Sequence, residues 1–165
     1  VKHIREEGGT VYITDINRER MEQVRDEFGA LIFEGENLYA ADVDIYAPCA
    51  MGATINDRTI EELKAKVIAG AANNQLSNEA LHGKLLQKKG IAYAPDFLIN
   101  AGGIINVYAE IAGYDKKETY RKTENIYHTT LEIFQSAERN NCTTNDAAMK
   151  IAQDRIEARK MEKMG

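Results

Sequence analysis

Short apolar runs alternate with amphipathic segments through the first two thirds of the chain. Runs that are apolar and stopped by a small or turn residue are predicted as strands, at residues 10–14, 30–33, 43–47, 66–69 and 90–93. Between the first two runs, Met21, Val24 and Phe28 recur at helical spacing, and Gly29 ends that helix. Strands that alternate with helices in this way predict an α/β fold built on a Rossmann-like, doubly wound parallel sheet.

The last part of the chain is predicted to be helical. Three helices are expected there, over residues 100–112, 116–139 and 144–161. Asp115 with Glu118 caps the second helix, and Thr144 or Asn145 begins the third. Four apolar or aromatic residues recur on one face of the second helix: Tyr120, Tyr127, Leu131 and Phe134.

A further helix is expected between the third and fourth strands. Thr59 with Glu62 matches a capping box, which predicts a helix over residues 60–66. Taken together, the elements divide the chain into a partial nucleotide-binding portion, residues 1–112, and C-terminal helices, residues 113–165. A helical tail of that length is expected to pack on the sheet or on a partner.

Polar amides and paired glycines follow the predicted strands at residues 66–69 and 90–93. In an open parallel sheet the carboxyl ends of the strands face the ligand crevice. Asn73, Asn74 and Asn100, together with Gly102 and Gly103, are therefore candidates to line one edge. An Asn side chain offers a donor and an acceptor, which suits an amide or a ribose. The alternative is that these residues only form turns.

The first residues match the second half of a nucleotide-binding unit. Residues 1–7 are expected to end a helix, Gly8 and Gly9 to form a turn, and residues 10–14 to form the second strand. The sheet is thus expected to be incomplete at its N-terminus, without its first strand and GxGxxG turn. In that frame Asp15 accepts hydrogen bonds from an adenosine ribose and repels a 2′-phosphate. Asp15 as a simple cap of the following helix is an equal alternative.

Composition narrows the class of partner. The chain has 165 residues, 44% hydrophobic, 28% charged and a formal net charge of −5, which is ordinary for a globular domain and argues against a nucleic-acid partner. No apolar stretch reaches the length of a membrane span, so no membrane partner is expected. Cys49 and Cys142 do not suggest a disulfide framework, which favours a cytoplasmic location. His3, His82 and His128 lack metal-ligand spacing; we predict no metal and interpret them as packing or surface residues.

Four segments together resemble one family of enzymes. They are VYITDIN at 11–17, APCAMGATIND at 47–57, KVIAGAANNQL at 66–76 and YAPDFLINAGGIINV at 93–107. The chain resembles, over nearly its whole length, the C-terminal NAD-binding part of the leucine, valine and phenylalanine dehydrogenases, which are related to glutamate dehydrogenase. Matches of this length are far more specific than a lone glycine motif.

The resemblance implies an activity. Such enzymes catalyse the reversible oxidative deamination of an L-amino acid to its 2-oxo acid and ammonia, with NAD as the hydride acceptor. A separate N-terminal domain supplies the catalytic lysines and an aspartate, so no catalytic residue is expected in this chain and the fragment alone is expected to be inactive. The C-terminal helices would then pack on the nucleotide-binding portion or on that catalytic domain.

The resemblance also implies roles for single residues. Asp15 and Ile16, in TDIN, and Cys49 and Ala50, in PCA, would bind the cofactor, the last two mainly through backbone and packing. A small buried residue without reactivity is the preferred interpretation of Cys49. The remaining cofactor residues are the amides of ANNQL and INAGG: Asn73, Asn74 and Asn100. Asn100 would bind the nicotinamide amide, whereas Asn73 and Asn74 would bind the nicotinamide ribose or the substrate.

The substrate side chain would meet Ile104 and Val107, with Asn74 as a further substrate contact. Aliphatic walls favour leucine, valine or isoleucine, because a glutamate carboxylate would be buried there without a partner. Ordinary core positions are the alternative for both residues. Tyr108 departs from the family pattern, which commonly has NVADE where this chain has NVYAE, and its bulk puts the side-chain preference in question.

Three functions are consistent with the sequence. The leading one is the NAD-binding portion of a branched-chain amino-acid dehydrogenase, which would form a homo-oligomer. The others are a phenylalanine or glutamate dehydrogenase of the same family and a non-catalytic nucleotide-binding or oligomerisation module.

Overall fold

The computed structural model describes residues 1–113 and 115–164, the last two of these by their backbone only. The chain divides into two compact units, Val1–Ala41 and Asp42–Gly165. Tyr114 and Gly165, which belong to the predicted C-terminal portion 113–165, lie outside the described residues. The division into portions 1–112 and 113–165 stays a prediction.

The first unit is a parallel βαβ segment. Its elements are α1 (Lys2–Glu6), β1 (Tyr12–Ile13), α2 (Arg18–Phe28), β2 (Leu31–Ile32) and a 3₁₀ turn (Leu38–Ala40). β1 pairs with β2 in parallel, with Tyr12 opposite Leu31. Met21 is the buried residue of α2, and Gly29 ends the helix with a left-handed φ of 66°. The amphipathic helix predicted from Met21, Val24 and Phe28 is confirmed.

The second unit is a three-stranded parallel sheet with helices. Its elements are β3 (Ile45–Tyr46), α3 (Asp57–Glu62), β4 (Val67–Ile68), α4 (Glu79–Lys88), β5 (Ala92–Tyr93), α5 (Asp96–Ile99), α6 (Gly102–Ala112), α7 (Lys116–Asn140) and α8 (Thr144–Met164). The strand order is β3-β4-β5, with all pairs parallel. The α/β class with parallel sheets is confirmed, and every predicted strand is present, although each is shorter than predicted.

Two clusters of apolar residues stabilise the second unit. In β4 and the segments around it, Ile55, Ile60, Ile68 and Leu86 are at most 1% exposed. Between α7 and α8, the buried residues are Ile133, Ala137, Ala147 and Ala148. The hydroxyl of Thr144 donates to the carbonyl of Tyr93 at 2.8 Å, so the start of α8 is tied to the end of β5.

The predicted capping box at Thr59 is wrong in register. The N-cap of α3 is Asn56, whose side chain accepts from the backbone N–H groups of Arg58 and Thr59. Thr59 lies three residues later, is buried, and its hydroxyl accepts from the Asn56 N–H and donates to the Thr54 carbonyl at 2.6 Å. The helix therefore spans residues 57–62 rather than 60–66. Both residues suit a cap, and this buried contact of Thr59 decides between them.

The aromatic face predicted on α7 is an exposed one. Tyr120, Tyr127 and Leu131 are 59%, 65% and 41% exposed, while Ile133 and Ala137 provide the buried contacts. No helix in the described part of the chain combines the length and apolarity needed to cross a membrane.

Candidate functional site

The loops that follow β3 and β4 meet at the carboxyl edge of the sheet. Pro48, just after β3, is buried and lies against Gly70, just after β4; a β-carbon on residue 70 would overlap the backbone of Pro48. The Ala72 N–H donates to the Pro48 carbonyl at 2.9 Å. Only glycine at position 70 permits so close a contact with Pro48. Gly70 therefore allows the two loops to come together.

The same two loops then run side by side as a short parallel ladder. The N–H of Ala53 donates to the carbonyl of Asn74 at 2.7 Å, and the N–H of Ile55 donates to that of Gln75 at 3.0 Å. Further along, the N–H of Ser77 donates to the Ile55 carbonyl at 2.9 Å. The loop of residues 48–56 therefore fixes the backbone around Asn74.

Two residues of this ladder adopt the left-handed region that disfavours most side chains. Ala53 has a φ of 56° and Asn74 a φ of 52°. Gly52 lies beside them, where a β-carbon would be 2.8 Å from the Asn73 carbonyl oxygen. Non-glycine residues persist in such conformations when the surroundings hold them, and such positions concentrate at ligand sites.

Asn73 and Asn100 are brought together across 27 residues of sequence. The Asn100 amide donates to the Asn73 side-chain oxygen, and it lies 3.4 Å from the Ala71 carbonyl oxygen. Asn73 is exposed and Asn100 half-buried. The prediction that Asn73, Asn74 and Asn100 share one edge of the sheet agrees with this geometry, while their roles toward a ligand stay predictions.

Two residues that the sequence patterns did not single out, Gln75 and Asp96, form hydrogen bonds that hold the backbone next to Asn73 and Asn74. Gln75 is fully buried; its N–H donates to the Asp96 carboxylate at 3.0 Å, and its side-chain amide donates to the Gly70 and Ala72 carbonyls at 2.6 and 2.9 Å. Asp96 also accepts from the Phe97 N–H at 2.7 Å. The sequence signal was a Gln directly after the two amides and an Asp directly after Pro95.

Tyr93 is the last residue of β5 and is buried. Burial of its phenol raises the pKa of Tyr93 well above its ordinary value, and the Asp96 carboxylate adds to the rise. Tyr93 is 4% exposed, so its phenol stays protonated and neutral at and well above neutral pH.

Asp15 and Ile16 lie in the first unit, directly after β1. Asn17, not Asp15, caps α2, because its side chain accepts from the Arg20 N–H at 3.1 Å. The alternative of Asp15 as the helix cap is therefore wrong. One carboxylate oxygen of Asp15 accepts from the Asn17 N–H at 2.8 Å, and no described residue donates to the other. Ile16 is fully exposed.

Cys49 does not occupy the buried position preferred for it. The cysteine is exposed, as is Ala50, whereas Pro48 is buried. The ring of Pro48 takes the inner position against Gly70, and the chain then turns outward, so the expectation of a small buried Cys49 is wrong.

The two predicted substrate residues face outward from α6. Ile104 is 71% and Val107 54% exposed, which contradicts the alternative that they are ordinary core positions. Tyr108 lies next to them, 59% exposed, with the Lys122 ammonium 5.5 Å from its ring centroid. A β-carbon on Gly103 would meet nothing within 4 Å, so no neighbouring protein atom requires glycine there.

Within residues 1–113 and 115–164, no group of three or more His, Cys, Asp or Glu side chains could hold a metal ion. Of the three histidines, His82 is buried rather than at the surface.

Comparison with known proteins places this geometry in context. The sequence profile of the Glutamate/Leucine/Phenylalanine/Valine dehydrogenase family matches residues 1–165. The L-tryptophan dehydrogenase of Nostoc punctiforme is 48% identical over 162 residues, which are 98% of this chain and 46% of that protein. The leucine dehydrogenase of Thermoactinomyces intermedius is 49% identical over 156 residues, 94% of this chain and 42% of that protein. The phenylalanine dehydrogenase of Bacillus thermotolerans is 43% identical over 159 residues, 93% of this chain and 41% of that protein.

The fold agrees with these sequence matches. The crystal structure of the L-tryptophan dehydrogenase from Nostoc punctiforme superimposes with a TM-score of 0.91 at 49% identity, covering 94% of this chain and 47% of that one. The glutamate dehydrogenase of Thermus thermophilus shares the fold with a TM-score of 0.67 at 18% identity, over 94% of this chain and 42% of that one. The chain thus spans about half the length of the curated relatives it matches.

Proposed function

Because this chain belongs to the Glutamate/Leucine/Phenylalanine/Valine dehydrogenase family, we propose that it is the NAD-binding portion of an amino-acid dehydrogenase. The proposed reaction is the reversible oxidative deamination of an apolar L-amino acid to its 2-oxo acid and ammonia. NAD, when bound, supplies the hydride acceptor, and this chain supplies orientation. The observation that carries the proposal is the convergence of Asn73, Asn74 and Asn100 at one edge of the sheet.

The side chains at this edge fit a nicotinamide nucleotide. The amides of Asn73 and Asn100 present donors and acceptors for a carboxamide and a ribose, and the Asn73–Asn100 hydrogen bond limits their freedom to rotate. Gln75 and Asp96 hold the backbone beneath them. Transfer of a hydride requires that the acceptor be held in a fixed orientation against the substrate, and such hydrogen bonds help to fix the groups that orient it.

The proposal assigns the preference for NAD over NADP to Asp15. A carboxylate with an oxygen that no described residue engages can accept from ribose hydroxyls. The same negative charge repels a 2′-phosphate. Ile16, exposed beside Asp15, would cover the adenosine.

For the substrate, we propose a branched-chain amino acid: leucine, valine or isoleucine. Ile104 and Val107 offer exposed aliphatic groups in the first half of α6 for its side chain. An aromatic substrate is the second candidate, because one relative at 48% identity is an L-tryptophan dehydrogenase and Tyr108 adds an aromatic ring to the same helix face.

The experiment is an NADH absorbance assay on the protein that carries this chain, with leucine, valine, isoleucine, phenylalanine, tryptophan and glutamate compared by kcat/KM. Highest kcat/KM with the branched-chain substrates supports the proposal. Preference for tryptophan or phenylalanine supports the second candidate. NADH binding, followed by fluorescence, without turnover of any amino acid would mean a non-catalytic nucleotide-binding module.

We also propose a cytoplasmic homo-oligomer, as the family resemblance implies. Light scattering of the purified protein tests the assembly, and a monomeric mass would contradict it.

A further inference from the structure

His82 links the first turns of two helices. Its ring is 2% exposed on α4, its Nε2 lies 3.0 Å from a carboxylate oxygen of Asp57 on α3, and its Nδ1 accepts from the backbone N–H of Asn78 at 3.0 Å. The Ser77 hydroxyl also lies 3.2 Å from Nδ1. Asp57 itself is largely exposed, so the carboxylate reaches inward to a buried partner.

These contacts define which nitrogen of the His82 imidazole carries the proton. A backbone N–H can only donate, so Nδ1 carries no proton, and the ring proton is on Nε2, where it donates to Asp57. The contacts thus run from a serine to a histidine to an aspartate, as in the catalytic triad of a hydrolase: Ser77, His82 and Asp57. The lone pair of Nδ1 is already engaged by Asn78, however, and this leaves it poorly suited to take a proton from Ser77. The arrangement therefore favours a structural role for His82 over a catalytic one.

The place of the ring in the fold indicates what it holds. Asp57 directly follows the loop of residues 48–56. Asn78 directly follows residues 70–77, the segment that contains Asn73 and Asn74. The last hydrogen bond of the ladder between these loops, from the Ser77 N–H to the Ile55 carbonyl, lies next to the ring. His82 therefore closes the ladder at the end away from Gly70.

We propose that His82 is a positioning residue for the nucleotide site: by joining Asp57 to Asn78 it holds the two loops in register and thereby places the amides of Asn73 and Asn74. This inference rests on the proposed function, since it names what keeps that site in shape. Loss of the ring loosens the ladder and weakens nucleotide binding beyond any general loss of stability.

The chain contains a matched control for this effect. Lys89, at the other end of α4, also ties α4 to α3, because its ammonium donates to the Ile60 carbonyl at 2.7 Å and to the Glu61 carboxylate at 3.2 Å. This second tie joins the same two helices through Ile60 and Glu61, neither of which takes part in the ladder. Lys89→Met removes it and leaves the loops untouched.

The experiment compares His82→Leu with Lys89→Met in the protein that carries this chain. We expect His82→Leu to raise the Kd for NADH and the KM for NAD by about tenfold, since small misplacements of binding groups are costly. We expect Lys89→Met to leave both constants unchanged, even where thermal stability falls equally. His82→Asn, which can retain an acceptor for the Asn78 N–H, and His82→Gln, which can retain a donor to Asp57, should each recover part of the affinity.

Amide hydrogen exchange gives a readout that does not depend on the nucleotide. Faster exchange of the Ala53, Ile55 and Ser77 amides in His82→Leu, but not in Lys89→Met, supports the inference even if the wild-type protein fails to bind NADH, an outcome that would defeat the proposed function alone. Equal exchange in both variants, or an unchanged Kd in His82→Leu, overturns the inference. Should His82→Leu not fold, Asp57→Ala, which removes the acceptor for the Nε2–H group and leaves the ring in place, replaces it with the same expected direction.

Discussion

Gly70 and Pro48 lie so close together that no side chain fits between them: a β-carbon on residue 70 would overlap the carbonyl oxygen and the nitrogen of Pro48. This contact joins the loops after β3 and β4. It is the point from which the hydrogen-bonded ladder toward Asn74 begins. Its disruption should therefore affect both stability and the candidate site.

Gly70→Ala should lower the free energy of unfolding by about 1–3 kcal/mol, because the backbone of Pro48 must move to admit the methyl group. Urea denaturation measures the change. Gly83→Ala on α4 is the control, since its β-carbon would lie at an ordinary 3.6 Å from Thr143 and alanine favours a helix interior. Equal destabilisation by both substitutions would show that the close approach is not limiting.

Asp15→Asn should weaken NAD binding and improve relative use of NADP. The amide oxygen can still accept from the Asn17 N–H, so the local turn is retained, but the charge that repels a 2′-phosphate is gone. A lost charge-assisted hydrogen bond is worth about 1.5–3 kcal/mol, roughly a tenfold or larger rise in the KM for NAD. Asp26→Asn, which removes an exposed carboxylate from the same unit, should leave the NAD/NADP ratio as it was.

Asn73 and Asn100 should behave as one unit in binding. Asn73→Ala and Asn100→Ala should each raise the Kd for NADH, and the double variant should lose less than the sum of the two single losses. The reason is their shared hydrogen bond: either substitution alone frees the remaining amide. A double-mutant cycle on NADH titrations should give a coupling energy of about 0.5–3 kcal/mol. Strict additivity would contradict the arrangement.

Asn74→Gly should separate the amide from the backbone conformation. Glycine adopts the φ of 52° without strain, so the fold is expected to keep its melting temperature while the side-chain contact is lost. Asn74→Ala removes the same amide and adds about 1–2 kcal/mol of backbone strain. Comparison of the KM values for NAD and for the amino acid, in Asn74→Gly, tells which ligand the amide binds; no change in either would remove Asn74 from the site.

Tyr93 should make the fold sensitive to alkaline pH. Because burial raises the pKa of its phenol, the folded state keeps a proton that the unfolded chain has lost, so the free energy of unfolding falls as pH rises above about 10. The slope from this one group approaches about 1.4 kcal/mol per pH unit, and stability below pH 10 is unaffected. Denaturation at pH 9 to 11 measures it, and Tyr93→Phe should show a shallower decline; parallel curves would count against it.

The sequence alone predicted the strands, the parallel α/β class and the edge at which Asn73, Asn74 and Asn100 meet. Those features depend on apolar runs and turn residues, which are patterns among neighbouring residues. The common edge then follows from the rule that the carboxyl ends of parallel strands lie together. The family resemblance, carried by long contiguous motifs, belongs to the same level of information.

The tertiary structure decided which of several locally equivalent residues takes each role. Asn56 and Thr59 both suit a helix cap, and the buried bond from Thr59 to Thr54 selects Asn56. Cys49 and Pro48 are both small, and contact with Gly70 buries the proline. The bonds that link Gln75 to Asp96 and His82 to Asp57 join residues 21 and 25 positions apart. Such contacts depend on how the helices and loops pack, which no local pattern of hydrophobicity or capping encodes.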